Sequence, residues 1–317
     1  MTNFTAMFLR WLRDLALLAL ITSTLLFFLL RLAGDPAVVL AGPDASEEQL
    51  QAVRAEYGFD RNLFVQYAAY VRNLLTLDLG RSLADGTPAV AKALIALPAS
   101  ALLGGLAVIL ACAAAFPLGV WLGAKQKGAV RRSVRWLLFA LQGVPGFIVA
   151  LVLVQIFAIE LMWLPALGYG DPRTWILPVV SVASFLMPKL ARLIEANVAA
   201  ALESAYVRTA RAIGASEFAV LWRHALPNAL LGATALVGAQ LAFVITGLVI
   251  VETLFAWPGI GWLLVQSTTN LDFPVVQAIT LLTVAIVFLI NALTDVLQYA
   301  LDPRLRRPVL ADVSASA

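Results

Sequence analysis

The sequence predicts an all-α fold: a polytopic bundle of six transmembrane helices, with both termini in the cytoplasm and short helices exposed on the cytoplasmic side. Of the 317 residues, 62% are hydrophobic and only 13% are charged, and the mean hydropathy is +0.90. Uncharged runs of bilayer length recur along the chain, and lysine and arginine are concentrated in particular loops. A soluble domain of this size could not bury so much apolar surface, so lipid must solvate much of it.

Six segments are assigned as spans because a membrane helix needs about 20 mostly apolar residues. They are Leu15–Leu32, Ala93–Ala124, Trp136–Ile159, Thr174–Pro188, Ala225–Val251 and Phe273–Thr294. The first follows Arg10 and Arg13, as a signal peptide would. It is longer than a signal core of about 7–15 residues, so we interpret it as a retained helix. The second exceeds one span, and we expect its start near Pro98 to lie in the interface. The fourth is short and must carry Lys189 and Arg192 towards the membrane edge.

Orientation follows from the basic residues of the loops, which are more frequent on the cytoplasmic side. The 2–3 loop has five of them and no acid, namely Lys125, Lys127, Arg131, Arg132 and Arg135. The 3–4 loop has only Arg173, and the 5–6 loop, residues 252–272, has neither lysine nor arginine. Both termini are therefore predicted to be cytoplasmic, which agrees with an even number of spans.

The chain divides into four regions. They are an N-terminal tail with the first span (1–33), a first outer loop (34–92), a five-helix core (93–302) and a C-terminal tail (303–317). In the first outer loop, Ser46–Tyr57 has the signature of a helix that stops at Gly58. Apolar residues then recur at helical spacing from Phe64 to Leu74, which predicts an amphipathic helix against the outer interface. The loop is either a packed extracytoplasmic cap or a substrate contact.

Residues 199–227, here named the coupling segment, carry the strongest functional signal within the core. An apolar-periodic stretch ends at Gly214, which can take the left-handed conformation that terminates a helix. Ser216 then offers a cap to a second helix, which runs into the fifth span. Arg208 and Arg211 lie one turn apart, and Ala210 and Gly214 are predicted to form a small-residue face that another backbone approaches closely.

This segment resembles the EAA motif of ABC-importer permeases. The matching parts are Thr209 to Gly214 followed by Leu226-Pro227, although Arg208, Thr209 and His224 replace the usual Glu, Ala and Ile. Further stretches resemble the dipeptide/oligopeptide/nickel permease subfamily in the same order along the chain. They are Gly34-Asp35-Pro36, Asp60-Arg61, Gln66-Tyr67, Asp78 to Ser82, Tyr206 to Ala212, His224 to Leu226, Val251 to Gly261 and Leu301 to Arg304.

The resemblance implies a non-catalytic permease subunit in a bacterial inner membrane. It implies that the subunit forms half of a translocation pathway for a peptide, a nickel complex or another small solute. The implied partners are a paralogous permease, two cytoplasmic ATPases that bind the ATP, and an extracytoplasmic binding protein. The residues implied in ATPase coupling are Tyr206, Arg208, Thr209, Ala210, Arg211, Gly214, Leu226 and Pro227.

The 5–6 loop allows two interpretations. Its aromatic residues Trp257 and Trp262 could anchor it at the outer interface. Alternatively, it is a re-entrant gate of non-helical backbone at the mouth of the pathway. The gate or loop candidates are Glu252, Phe255, Trp257, Pro258, Gly259 and Gly261.

Polar residues inside spans are candidates for the pathway, although hydrogen bonds between packed helices explain them equally simply. They are Gln142, Gln155, Gln240, Thr246, Gln277 and Asn291. A single cysteine, Cys112, and a single histidine, His224, exclude a Cys/His metal cluster. No phosphate-binding G-x-x-x-x-G-K-[ST] motif occurs, so no cofactor is expected on this chain.

Two other function classes compete with an importer subunit. An ion-driven secondary transporter is expected to carry acids within its spans and inverted repeats. Here Glu160, Glu252 and Asp295 lie at span ends, and no repeat is evident. A membrane-embedded enzyme is the third class, but no nucleophile–base pair or metal-ligand cluster is visible. A DNA-binding helix–turn–helix is a poorer interpretation of the coupling segment, because membrane tethers it at both ends.

Overall fold

The computed structural model describes residues 2–42, 44–76, 78–125 and 128–301, and within these ranges it is helical with no strand. The helices are α1 Thr2–Ala33, α2 Pro36–Ala41, α3 Glu47–Tyr57, α4 Leu63–Leu75, α5 Ala89–Ala124, α6 Ala129–Gln142, α7 Gly146–Leu153, α8 Ile176–Leu202, α9 Ala205–Ala212, α10 Glu217–Ala219, α11 Leu226–Leu254, α12 Ile260–Thr269 and α13 Phe273–Leu301. Two π-helical turns, Val154–Glu160 and Val220–Ala225, continue α7 and α10, and a 3-10 turn, Pro172–Trp175, precedes α8.

Two spans extend beyond their predicted limits. Helix α5 begins at Ala89 and has 36 residues, so Pro98 lies inside the helix and not near its start. Helix α8 runs on to Leu202 with Pro188 in its interior, so the helix continues past Lys189 and Arg192, as expected for the fourth span. At about 1.5 Å per residue, α5 is about 54 Å long and exceeds the hydrocarbon core of about 30 Å. Parts of both helices must therefore project from the membrane.

The third predicted span is not one straight helix. Helix α6 and the α7 region, Gly146–Glu160, are bent by 102° at the intervening break. Pro145 lies in this break with an extended backbone, φ −58° and ψ 136°, since proline lacks the N–H that would continue the helix. The sequence predicts a kink at Gly143, Pro145 and Gly146, but this bend turns α6 sharply away from α7.

The described chain contains four helices that are long and apolar enough to cross a membrane, and the bent α6–α7 pair makes a fifth candidate. Helix α11, which corresponds to the fifth predicted span, includes side chains outside the described set. Six spans and cytoplasmic termini therefore remain predictions. The predicted C-terminal tail and the motif residues 302–304 lie outside the described residues.

Chain contacts divide the protein into two compact units. Unit 1 comprises residues 2–102 and 245–288, and unit 2 comprises residues 103–244 and 289–301, within the described ranges. In unit 1, α3 starts after Ser46 and stops at the left-handed Gly58 as predicted, and a capping box between Ser46 and Gln49 closes its N-terminus. Helix α4 packs on α1, where the Tyr67 and Thr24 hydroxyls are 2.8 Å apart. The amphipathic helix predicted from Phe64 to Leu74 therefore exists, but its surface around Tyr67 packs against α1.

Unit 2 is built on close contact between α5 and α8. A Cβ atom at Gly119 would lie 2.6 Å from the Ala191 carbonyl oxygen, and one at Gly123 would lie 2.7 Å from that of Glu195. These glycines are four residues apart, so they face the same side of α5 and allow the two backbones to approach. The coupling segment packs beneath this helix pair, in a cluster that includes Val120, Val198 and Val207.

Candidate functional site: the coupling segment and the outer loops

The coupling segment has a sharply defined turn. Gly214 adopts φ +91° after α9, and the Ala215 and Gly214 amides donate to the carbonyl oxygens of Ala210 and Arg211, at 3.1 and 3.0 Å. This pair of bonds is a Schellman motif, which satisfies carbonyls at a helix end. The Ser216 hydroxyl then accepts from the Ala219 amide at 3.3 Å and caps α10. Both sequence predictions for this turn are confirmed.

The predicted small-residue face at this turn does not form. Ala210 is only 4% exposed and packs in the interior with Val207, Val220 and Ala225. Gly214 is exposed, and an added Cβ there would meet no atom within 4 Å. Ala210 is therefore covered by this chain's own residues, and no second backbone can approach it as the sequence suggested. The small side chain of Ala210 allows α9 to pack closely against these residues.

Large apolar side chains occupy the exposed surface of the segment instead. Ile213 is 80% exposed and Phe218 is 73% exposed, and they flank the Gly214 turn on either side. Tyr206 and Trp222 are also exposed, and the Phe218 and Trp222 rings lie 6.0 Å apart. Exposed apolar groups at a rigid turn are typical of a protein–protein contact. The sequence did not indicate the exposure of Ile213 and Phe218, because exposure depends on the fold.

An ion pair closes the turn. The Arg211 guanidinium donates two hydrogen bonds to the Glu217 carboxylate, at 2.8 and 3.0 Å. These bonds lower the pKa of Glu217 and raise that of Arg211. Arg208 and Thr209 are exposed on α9, whereas Leu226 is buried and Pro227 is exposed at the start of α11. Of the two arginines on α9, Arg211 is thus already paired within the chain, whereas the exposed Arg208 is available for contact with a partner.

The 5–6 loop in unit 1 is organised by a buried carboxylate. Glu252 is fully buried and its Oε1 accepts from the Ser100 hydroxyl on α5 at 2.6 Å. Its Oε2 accepts from the Gly261 and Trp262 amides, at 2.7 and 3.1 Å. The Ser100 hydroxyl oxygen also accepts from the Ile260 amide at 2.8 Å. One carboxylate and one hydroxyl thus fix the N-terminal turn of α12 to α5.

The structure shows how the 5–6 loop is packed. The loop contains helix α12, so only part of its backbone is non-helical, and the gate interpretation stays a prediction. Trp257 is fully buried and its indole N–H donates to the Ala99 carbonyl at 2.9 Å, so it cannot anchor the loop in lipid. Phe255 is also buried. At Gly261 a Cβ would lie 2.6 Å from the Val249 Cα, and at Gly259 it would meet the Glu252 carboxylate, so these glycines are needed for close packing.

A second buried contact links the first outer loop to the 5–6 loop. Asp272 accepts from the Ser82 hydroxyl at 2.5 Å and from the Leu83 amide at 3.0 Å. Lys92 donates to the Ser82 oxygen at 3.0 Å and pairs with Asp85 at 2.8 Å. The Lys92 ammonium holds the pKa of Asp85 well below its usual range. The sequence identified Ser82 within a motif but gave no sign of its partner, which lies 190 residues away.

The pathway candidates differ in their local contacts and exposure. Gln142 accepts from Arg192 at 3.2 Å, and Gln155 donates to Glu160 at 3.2 Å. Gln277 is buried, and Asn291 is exposed on α13. The Gln240 side-chain oxygen is buried with no hydrogen-bond partner among the described residues. The side chain of Thr246 lies outside the described set. In the described ranges, no group of His, Cys, Asp and Glu could hold a metal ion.

Comparisons with known proteins agree with this arrangement of loops and helices. The profile of the family described as "Binding-protein-dependent transport system inner membrane component" matches residues 115–307, and that of its N-terminal region matches residues 3–91. The probable peptide ABC transporter permease protein y4tP of Sinorhizobium fredii is 35% identical over 290 residues, which is 89% of this chain and 93% of the relative. The glutathione transport system permease protein GsiC of Escherichia coli (strain K12) is 35% identical over 298 residues, 90% and 94% of the two chains.

A solved structure supports the fold. One chain of an amino acid ABC transporter crystallised with histidines superposes with a TM-score of 0.52 at 14% identity, covering 66% of this chain and 94% of that one. The two family profiles together span most of the sequence. The chain therefore belongs to the family of binding-protein-dependent transport system inner membrane components, and it is a permease subunit of an ABC importer that crosses a bacterial inner membrane several times.

Proposed function

We propose that this chain forms half of the translocation pathway of a peptide importer and that its coupling segment docks on a cytoplasmic ATPase. The pathway is completed by a second, paralogous permease. Two ATPase subunits hydrolyse the ATP, and an extracytoplasmic binding protein delivers the substrate. The absence of a phosphate-binding motif in the sequence supports hydrolysis on partners. The subfamily-like motifs favour a paralogous second permease.

The observation that carries this proposal is the rigid turn of the coupling segment with its exposed apolar residues. The Schellman motif and the Arg211–Glu217 pair hold Ile213 and Phe218 in fixed positions. The underlying side chains Val207 and Val220 are fully buried and connect the turn to the helix pair α5 and α8. A displacement of the turn by the ATPase is therefore transmitted to α5 and α8, because packed helices move between discrete arrangements.

On the opposite side, we propose that the first outer loop and the 5–6 loop act together as the surface that receives the binding protein. The Ser82–Asp272 contact joins the two loops, and the Glu252 network holds the 5–6 loop to α5. Because both contacts are buried, the two loops behave as one rigid platform. This proposal gives the 5–6 loop a docking role with a fixed attachment to α5, and a gate at the mouth of the pathway is the alternative from the sequence.

The proposed cargo is a small peptide. The relatives reported above are named for peptide and for glutathione, which is itself a small peptide. A nickel complex is the alternative from the sequence resemblance. The discriminating measurement is the affinity of the cognate binding protein for a peptide library and for nickel. Binding of nickel and no peptide would contradict the proposed cargo.

The importer mechanism is tested against a secondary transporter by reconstitution. The purified chain alone, and the complex with its partner permease and ATPases, are placed in liposomes with external binding protein and labelled peptide. We expect uptake only by the complex and only with ATP available to the ATPases. Uptake by the isolated chain driven by a proton or sodium gradient would overturn the proposal.

A further inference from the structure

Helix α6 has a basic pocket that the coupling segment and the outer loops do not use. A cavity of about 630 Å³ in unit 2 is bordered by α6, the end of α5 and the middle of α8. Its charged residues are three arginines and one glutamate: Arg132, Arg135, Arg192 and Glu195. Two aromatic side chains, Trp136 and Phe139, form the apolar part of its wall.

The positive charge of this pocket is only partly neutralised. Arg135 pairs with Glu195 and donates to the Leu122 carbonyl oxygen at 3.1 Å, near the C-terminal end of α5. Arg192 donates to the uncharged Gln142 side chain at 3.2 Å. Arg132 is exposed, and its side chain makes no hydrogen bond or ion pair within the described ranges. The pocket therefore keeps a surplus of two positive charges, supplied by Arg132 and Arg192.

No acid in the sequence around α6 offsets this surplus. Between Asp85 and Glu160 the chain has no aspartate or glutamate, while Lys125 and Arg131 add further positive charge close to α6. The side of the membrane with such loops is predicted to be cytoplasmic, and the cytoplasmic leaflet carries anionic lipids.

Apolar side chains border the arginines on the outside of α6. Trp136 is 65% exposed, and Leu137 and Phe139 are each 58% exposed. Helix α6 is bent by 102° from the α7 region, so the two segments cannot both lie along the membrane normal. Arg132 and Trp136 are four residues apart, as are Arg135 and Phe139, so the arginines and these aromatic side chains share one face of α6, with the arginines nearer its N-terminus. A soluble anion would contact only the arginines. A lipid has a charged headgroup for the arginines and an apolar chain for the aromatic side chains.

We propose that this pocket binds the phosphodiester headgroup of an anionic phospholipid. Arg132 and Arg192 supply charge-assisted hydrogen bonds to the phosphate oxygens. Trp136 and Phe139 lie beside the glycerol and upper acyl region, where aromatic residues are enriched. The lipid would wedge between α6 and α8 and thereby hold the bent helix in place.

Trp136 provides the probe for the test. The purified transporter complex is placed in nanodiscs that contain brominated phosphatidylglycerol or brominated phosphatidylcholine, whose bromines quench nearby tryptophan fluorescence. Subtracting the signal of a Trp136→Phe complex isolates the Trp136 contribution. We expect stronger quenching by phosphatidylglycerol and a weaker effect of phosphatidylcholine. Arg132→Gln and Arg192→Gln should each reduce this lipid preference about fivefold, since a basic residue near an anionic surface contributes about 1 kcal/mol.

The matched control is Arg10→Gln, which removes an exposed arginine from the same predicted side but outside both the pocket and the coupling segment. It should leave the lipid preference unchanged. Equal quenching by the two lipids would overturn the proposal, and so would a preference that survives both pocket variants. The proposal would also be overturned if neither lipid quenched Trp136 in the complex while both quenched it in the isolated chain. The pocket would then be a protein interface.

Discussion

The Ser100 hydroxyl donates a 2.6 Å hydrogen bond to the buried Glu252 carboxylate and accepts one from the Ile260 amide. Ser100 lies on α5 and Glu252 near the end of α11, so a single hydroxyl joins two predicted spans to the helix of the 5–6 loop. The loop is consequently fixed at its base. We interpret this network as the structural support of the outer platform.

Ser100→Ala should destabilise this platform. The change leaves the Ile260 amide and one Glu252 oxygen without their partner, and an unpaired buried polar group costs about 1–3 kcal/mol. We expect a lower melting temperature of the detergent-purified protein and slower peptide uptake. The control is Thr253→Val, because the exposed Thr253 hydroxyl bonds only to the Val249 carbonyl of its own helix. Equal melting temperatures for the two variants would show that the network contributes little.

Gly214→Val should impair coupling without disturbing membrane insertion. The left-handed backbone at φ +91° strains a β-branched residue by about 1–2 kcal/mol, and no atom lies close enough to an added Cβ to clash. Gly214→Asn is the matched variant, since asparagine tolerates this conformation. We expect reduced peptide-stimulated ATP hydrolysis for the valine variant and near-normal hydrolysis for the asparagine variant. Identical losses in both would mean that the turn conformation is not what matters.

The Arg211–Glu217 pair makes the turn sensitive to acid. Because the pKa of Glu217 is lowered in the folded protein, its stabilising effect is present above the ordinary glutamate pKa and is lost as pH falls through the lowered value. At neutral pH, Glu217→Gln should speed amide hydrogen exchange in residues 213–217 relative to the unaltered protein. The difference should disappear at acidic pH. A difference that does not change with pH would exclude this ion pair as its cause.

The predicted orientation is tested by cysteine labelling in a Cys112→Ser background. Single cysteines at the exposed positions Thr76 and Gly170 should react with an impermeant maleimide added outside the cell. A cysteine at Ser133, exposed on α6, should react only after the membrane is opened. External labelling at Ser133 would reverse the assigned topology.

Features that depend on a few neighbouring residues could be predicted from the sequence. The helix stops at Gly58 and Gly214 follow from local backbone chemistry, and both are found. The class of the fold followed from hydrophobicity, and the family from ordered motifs. The expected helix start near Pro98 was wrong, because α5 begins nine residues earlier, at Ala89.

Features that depend on distant contacts could not be predicted. Ala210 and Trp257 appeared to be surface residues, and both are buried because segments far along the chain cover them. The Ser82–Asp272 contact joins residues 190 positions apart, and nothing in either local sequence specifies the pair. The exposure of Ile213 and Phe218 is likewise a property of the packed structure.

The central claim is that the coupling segment contacts an ATPase, and site-specific photo-crosslinking tests it directly. A benzophenone amino acid replaces Phe218 in the assembled transporter, with the exposed Phe64 of the first outer loop as the control position. After irradiation, we predict an adduct between this chain and an ATPase subunit from position 218 and none from position 64. An intact complex that gives no ATPase adduct from position 218, or gives one from position 64, would contradict the account.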